Sequence, residues 1–151
     1  MPFQVLAYGL TDVGLVRQNN EDYWDQAPNL NFFALADGMG GHRAGEIASK
    51  EAIKALIDIL NKIVGANKEE LDLNEMNGII QYAIEHANQK IYKMSSKDPA
   101  LKGMGTTICC LLFNAQGLVY AHVGDSRIYR FREGSLEQLT KDDSLIRQLS
   151  D

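Results

Sequence analysis

Two amphipathic helices that follow each other in the middle of the chain constrain its fold more than any other feature. From Ala44 onward, apolar residues recur at spacings of three and four, which is typical of a helix with one buried face. Gly65 is expected to end this helix. A second stripe occupies residues 76–94, and Asp72 followed by Glu75 predicts a capping box at its start. The two predicted helices are therefore neighbours in sequence.

Short apolar runs on both sides of the helices predict β-strands. Two of them precede the helices, in residues 3–10 and 31–36. After Pro99, four runs separated by turn residues predict an antiparallel meander, in residues 106–113, 118–123, 127–131 and 136–139. Strands, then two helices, then strands favour an α+β fold over an alternating parallel sheet. The length fits one domain, residues 1–151.

Composition and charge exclude several classes of function. Hydrophobic residues make up 45% of the chain and charged residues 23%, which is close to globular averages. The net charge of -5 and the lack of a Lys/Arg run argue against DNA or RNA as a partner. The sequence has neither a signal peptide pattern nor an apolar run of about 20 residues, so we expect no membrane association and a cytoplasmic location.

The two cysteines, Cys109 and Cys110, are adjacent in a predicted strand. Neighbouring side chains of a strand point to opposite faces of the sheet, so these two are poor disulfide partners for each other. We therefore predict buried thiols that pack as small apolar groups.

Acidic residues stand next to the ends of predicted strands. Asp37 directly follows a strand and opens a glycine-rich loop, residues 37–46, that leads into the first helix. Glycines allow main-chain carbonyls to approach a ligand closely, and carboxylate plus carbonyl oxygens suit Mg²⁺ or Mn²⁺. Glu21, Asp22 and Asp125 also stand at predicted strand ends. Taken singly, the Asp37 loop is equally well explained by a tight turn with a solvated aspartate, whereas the turn at Asp125 is better explained as a routine hairpin and the run at Glu21 and Asp22 as a solvated loop.

Two basic side chains near these carboxylates are candidates for action on a phosphate ester. Arg17, four residues before Glu21, could bind a phosphate oxygen through its planar guanidinium or could simply neutralise acidic neighbours. His42, inside the glycine-rich loop, is a candidate proton donor. The loop does not fit a dinucleotide fingerprint, because Arg43 occupies the position of the third glycine.

Five motifs in order span nearly the whole chain. They are Arg17-x-x-Asn20-Glu21-Asp22, Ala36-Asp37-Gly38-Met39-Gly40-Gly41-His42 with Ala44-Gly45-Glu46, Gly105-Thr106-Thr107, Val123-Gly124-Asp125-Ser126-Arg127-x-Tyr129, and Leu139-Thr140-x-Asp142. In this order they resemble the metal-dependent protein phosphatases of the PPM, or type 2C, family, and most of all its bacterial members. The resemblance implies a sandwich of two antiparallel β-sheets flanked by pairs of helices.

The same resemblance implies a reaction. A water activated by two Mn²⁺ or Mg²⁺ ions, with a third ion in some relatives, hydrolyses phosphoserine or phosphothreonine on proteins. By position, Asp37 would bridge two metals, the Gly38 carbonyl would bind one, and Glu21 and Asp22 would act largely through bound water. Asp125 corresponds to an additional, weaker metal site.

By the same correspondence, Arg17 would hold the substrate phosphate. His42 is only a candidate general acid, because Met39 stands where many eukaryotic members have a histidine. The implied partners are proteins phosphorylated by a Ser/Thr kinase.

The family's domain continues past the Leu139-Thr140-x-Asp142 motif into two more acidic motifs whose aspartates bind the metals directly, and neither occurs in this sequence. We therefore expect residues 1–151 to be the N-terminal portion of a phosphatase domain that is weakly active or inactive by itself. Its exposed sheet edges would favour self-association. The alternative hypothesis is a non-catalytic module that binds phosphoproteins or another partner.

Overall fold

The computed structural model describes residues 3–41, 43–65 and 70–142. The strands are β1 (Asp22–Ala27), β2 (Phe32–Met39), β3 (Gly105–Thr106), β4 (Ile108–Asn114), β5 (Gly117–Val123), β6 (Tyr129–Arg132) and β7 (Ser135–Gln138). The helices are α1 (Ala44–Ile63) and α2 (Leu73–Lys97), and short 3₁₀ turns lie at Pro28–Leu30 and Pro99–Leu101.

The strands form one antiparallel sheet and one separate ribbon. The sheet has the order β1-β2-β4-β5, and the short β3 pairs with the end of β2. Strands β6 and β7 pair only with each other in the described part of the chain. The predicted α+β class with antiparallel sheets is confirmed.

Helices α1 and α2 pack together against one face of the sheet and bury their apolar stripes there. The core residues that are at most 1% exposed include Leu30, Phe32, Ile53, Leu56, Leu60, Met76, Ile80 and Leu112. The predicted capping box is present: Glu75 N–H donates to Asp72 Oδ1 at 2.8 Å, and Asp72 N–H donates to Glu75 Oε1 at 3.2 Å. None of the helices among the described residues is long and apolar enough to span a bilayer.

The sequence prediction was wrong for the first strand. Residues 3–10 form no strand, and Leu6 and Tyr8 are 70% and 91% exposed. An apolar run signals a tendency to be buried, but a strand also needs a neighbour to accept its backbone hydrogen bonds, and nothing among the described residues pairs with this segment.

Strand β1 was missed, because Asp22, Asp25 and Gln26 dilute its apolar content. Among the residues that the structure describes, it is an edge strand that pairs with β2 alone, so such polar side chains are tolerated. Strand β2 is also longer than predicted. It runs through Asp37 and Gly38 to Met39, since β3 continues the pairing at Gly38 and Met39.

The face of the sheet opposite the helices carries a second set of side chains. Along β2, buried Phe32, Ala34 and Ala36 face the helices, so the alternating residues Phe33, Leu35 and Asp37 lie on the other face. The segment from Val5 to Thr11 lies over that face. Together they line an open, mainly apolar cavity of about 550 Å³. The face that carries Asp37 is therefore only partly covered by the described residues.

Both cysteines are free and buried in β4, as predicted. Desolvation by burial raises the pKa of Cys109 to about 11 and that of Cys110 to about 12, the latter also through the nearby Cys109. Neutral thiols are therefore the native form at physiological pH, which agrees with a packing role.

Candidate active site

Asp22 and Asp37 form the centre of the candidate site. They are directly opposed in the antiparallel pairing of β1 with β2, so their side chains project from the same face of the sheet. Burial raises the pKa of Asp37, and a hydrogen bond with Asp22 and the negative charge of Asp22 raise it further. The guanidinium of Arg17 acts in the opposite direction. Two ionised carboxylates on directly opposed residues repel each other, and a cation between them would relieve the repulsion.

Glu21 and Gly38 lie on the helix side of the same strand pair. Gly38 N–H donates to the Glu21 carbonyl oxygen at 2.9 Å. The Glu21 carboxylate lies against Gly45 in the first turn of α1, where the partial positive charge of a helix N-terminus favours an anion. Alternation along β1 therefore separates Glu21 from Asp22, two residues that sequence reasoning placed in one cluster.

One oxygen of Glu21 has unusual surroundings. Oε2 is buried and accepts no hydrogen bond from the residues that the structure describes. The other carboxylate oxygen, Oε1, lies 4.0 Å from Arg17 Nη1. The side chain of Arg17 is itself 70% exposed, so its guanidinium remains accessible to a ligand.

Asp125 belongs to the loop between β5 and β6 and is exposed. Its negative charge also contributes to the raised pKa of Asp37, so it lies near Asp37. The start of β1, the end of β2 and the end of β5 meet at one end of an antiparallel sheet, which is why acidic residues distant in sequence converge here.

Two motifs are joined by an ion pair that the sequence reasoning did not predict. Arg127 Nε and Nη2 donate to the two carboxylate oxygens of Asp142 at 2.9 and 2.7 Å. These hydrogen bonds raise the pKa of Arg127 and lower that of Asp142. The opposite charges of Arg127 and Asp142 were the only feature of the sequence that could have predicted this ion pair. The bidentate geometry orients the β5–β6 loop next to Asp125.

The remaining candidate, His42, lies outside the described residues. Its role as a proton donor stays a prediction, as do the metal and substrate roles of the other candidates.

The described residues fit one side of a divalent metal site. Carboxylate oxygens are the ligands that Mn²⁺ and Mg²⁺ prefer, and Asp22 and Asp37 present them with excess negative charge. Within residues 3–41, 43–65 and 70–142, no group of three His, Cys, Asp or Glu side chains is arranged to hold a metal ion. Asp22 and Asp37 thus fit as two ligands of a divalent ion.

Comparison with known proteins gives matches to protein phosphatases. The sequence model of the family described as Protein phosphatase 2C matches residues 12–147. Protein phosphatase PhpP of Streptococcus pneumoniae is 41% identical over 143 residues, which are 93% of this chain and 56% of PhpP. Serine/threonine protein phosphatase PstP of Mycobacterium tuberculosis is 40% identical over 148 residues, which are 97% of this chain and 27% of PstP.

A solved structure shares the fold. The crystal structure of the catalytic domain of PstP, in complex with two manganese ions, has a TM-score of 0.74 and 40% sequence identity. The match covers 93% of this chain and 57% of that domain. The chain therefore spans little more than half of the curated relative PhpP and of this solved structure.

Proposed function

The chain belongs to the Protein phosphatase 2C family, and on that basis we propose that its residues serve the hydrolysis of phosphoserine and phosphothreonine on proteins. The observation that carries the proposal is the Asp22–Asp37 pair beside the exposed guanidinium of Arg17. Paired carboxylates attract divalent ions, and an accessible arginine binds phosphate oxygens. Relatives named as serine/threonine protein phosphatases support the same substrate class.

In this proposal Asp37 and Asp22 hold Mn²⁺ or Mg²⁺, and Asp125 takes part in holding an additional ion. Such ions, when bound, lower the pKa of a water molecule and neutralise phosphate charge. The Gly38 carbonyl at the end of β2 would supply a further oxygen, and Glu21, which lies on the helix side of the strand pair, would take part only through water. The crystal structure of PstP with two manganese ions supports Mn²⁺ as the first choice of metal.

Arg17 binds and orients the substrate phosphate. Its guanidinium forms two parallel hydrogen bonds with a planar pair of oxygens, and its exposure leaves it free to do so. His42 donates a proton to the leaving serine or threonine oxygen. The substrates are proteins phosphorylated by a Ser/Thr kinase, and the reaction takes place in the cytoplasm.

A second candidate function rests on the same acidic pair. The described residues supply only two neighbouring carboxylates and no group of three metal-binding side chains. Two carboxylates hold a divalent ion weakly, so we propose that the 151-residue chain by itself turns over slowly. The alternative is that this chain binds phosphoproteins or a partner without catalysis.

The test is phosphate release from a phosphothreonine peptide, measured with Mn²⁺ and again after addition of EDTA. Mn²⁺ binding in calorimetry, together with slow and EDTA-sensitive release, is the expected result. Release that EDTA does not affect would contradict the proposal, as would a chain that binds no Mn²⁺. Tight binding of the peptide without any release would favour the non-catalytic alternative.

We also propose that the 151-residue chain self-associates. Apolar side chains of the N-terminal segment are largely exposed: Leu6 is 70%, Tyr8 is 91% and Leu10 is 95% exposed. Contiguous exposed apolar surface drives association. Light scattering is expected to give a mass above 16.8 kDa that grows with protein concentration.

The double substitution Leu6→Ser/Leu10→Ser should shift this mass toward that of the monomer. The matched control is Tyr92→Ser, which changes a residue of α2 that is 70% exposed and should leave the mass unchanged. A wild-type chain that stays monomeric at every concentration would contradict the proposal.

A further inference from the structure

Thr107 joins two parts of the candidate site. It lies between β3 and β4 and is 5% exposed. Asp37 N–H donates to Thr107 Oγ1 at 3.0 Å, and Thr107 N–H donates to the Asp37 carbonyl oxygen at 2.9 Å. Thr107 therefore binds both the backbone N–H and the backbone carbonyl oxygen of Asp37.

The hydroxyl of Thr107 also reaches the loop that carries Asp125. Thr107 Oγ1 lies 2.5 Å from Ser126 Oγ, and either oxygen can donate. A hydroxyl has one proton and two lone pairs. Accepting from Asp37 N–H uses one lone pair, so the proton and the other lone pair remain for Ser126. The same oxygen atom can thus bond to the Asp37 strand and to the Asp125 loop at once.

The methyl group of Thr107 lies close to the same loop at Gly124, the residue before Asp125. Gly124 has a φ of 99°, and a Cβ placed there would lie 2.7 Å from Thr107 Cγ2 and 3.1 Å from Thr107 Cβ. A glycine is therefore required at this close approach. Thr107 touches the residues immediately before and after Asp125, through its methyl and its hydroxyl respectively.

We propose that Thr107 is a positioning residue that fixes the Asp125 loop relative to the end of the Asp37 strand. The contacts of Thr107 give it this task, because they set the position of the loop that carries Asp125 relative to the strand that carries Asp37. The functional part of this inference rests on the proposed function, in which both carboxylates hold metal ions.

The first test measures amide hydrogen exchange in the metal-free 151-residue chain. Thr107→Val keeps the branched shape and the methyl contact but removes the hydroxyl. Losing a hydrogen bond of ordinary strength should speed exchange of the Asp37 amide and of the amides in residues 124–127 by about three- to ten-fold. Thr107→Ser retains the hydroxyl and loses only the methyl contact with Gly124, so its exchange rates should lie closer to the wild type than those of Thr107→Val.

The matched control is Thr106→Val. Thr106 is the adjacent threonine, and its hydroxyl donates to the carbonyl oxygen of Thr107 at 2.8 Å rather than to the loop. Exchange in residues 124–127 should stay at the wild-type rate in this variant. If Thr107→Val fails to fold, Ser126→Ala breaks the same hydrogen bond between Thr107 and Ser126 by removing the Ser126 hydroxyl. This variant should also speed exchange in the loop.

The second test measures Mn²⁺ affinity by calorimetry in the same variants. Removing a group that orients metal ligands typically weakens metal binding by about 10- to 100-fold. We therefore expect Thr107→Val to weaken Mn²⁺ binding by about 10-fold. Thr107→Ser should bind Mn²⁺ with nearly the affinity of the wild type. Unchanged loop exchange in both Thr107→Val and Ser126→Ala would overturn the link between strand and loop. Faster exchange with unchanged Mn²⁺ affinity would overturn the positioning role.

A wild-type chain that binds no Mn²⁺ would count against the proposed function. The exchange measurements would still decide whether Thr107 fixes the loop, since they are made without metal.

Discussion

Replacing Asp37 with Asn is expected to abolish Mn²⁺ binding while leaving the metal-free chain at least as stable as the wild type. Asp37 has a raised pKa because it is partly buried and lies beside Asp22, so its ionised form is disfavoured in the fold. Asn is neutral and nearly the same size, so it removes the repulsion with Asp22. It also removes the negative charge that a divalent ion requires.

Thermal unfolding with and without Mn²⁺ separates the two effects. Free Mn²⁺ at ~100 times its Kd should stabilise the wild type by about 2.7 kcal/mol, which raises Tm by about 5–10 °C in a chain of this size. Asp37→Asn should show no rise with Mn²⁺ and a metal-free Tm equal to or above that of the wild type. EDTA-sensitive phosphate release should vanish as well.

Asp58→Asn is the matched control, because Asp58 is exposed on α1 and away from the site. It makes the same change in charge and should keep the full response to Mn²⁺. An Asp37→Asn variant that still gains stability from Mn²⁺, or that is clearly less stable without metal, would contradict the assigned role of Asp37.

Replacing Gly38 with Ala is expected to destabilise the chain and to displace the neighbouring Asp37. A Cβ at position 38 would collide with the carbonyl oxygen of Gly45 in the first turn of α1. That oxygen belongs to the backbone, so it cannot move aside as the tip of a flexible side chain could. Overpacking of this kind costs about 1–3 kcal/mol. It would also move the end of β2 relative to α1.

Denaturant unfolding gives the stability change, and calorimetry gives the Mn²⁺ affinity. Gly41→Ala is the control in the same loop, since a Cβ at position 41 meets no atom of the described residues within 4 Å. It should be close to neutral in both measurements. Equal stability of Gly38→Ala and Gly41→Ala would mean that the contact between β2 and α1 is looser than the structure describes.

The two helices were predictable because their signals are local. The apolar stripe of α1, the Asp72 capping box and the stripe of α2 depend on residues three or four positions apart, and the structure has all of them. The strands after the helices were also predictable from alternation and turn residues, but their arrangement as one meander was wrong, because β6 and β7 form a separate ribbon among the described residues. Residues 3–10 and β1 were mispredicted, because strand formation depends on a partner that lies elsewhere in the chain.

The candidate site divides in the same way. Sequence alone identified the acidic residues and, through motif order, the family, because both depend on which residues occur and in what succession. Only the tertiary structure could place Asp22 beside Asp37 and turn Glu21 toward α1, since these positions follow from the register between β1 and β2. The link from Thr107 to Ser126 crosses 19 positions, and the Asp37–Thr107 bond crosses 70. Such contacts have no local signal in the sequence; they arise only when the sheet has assembled.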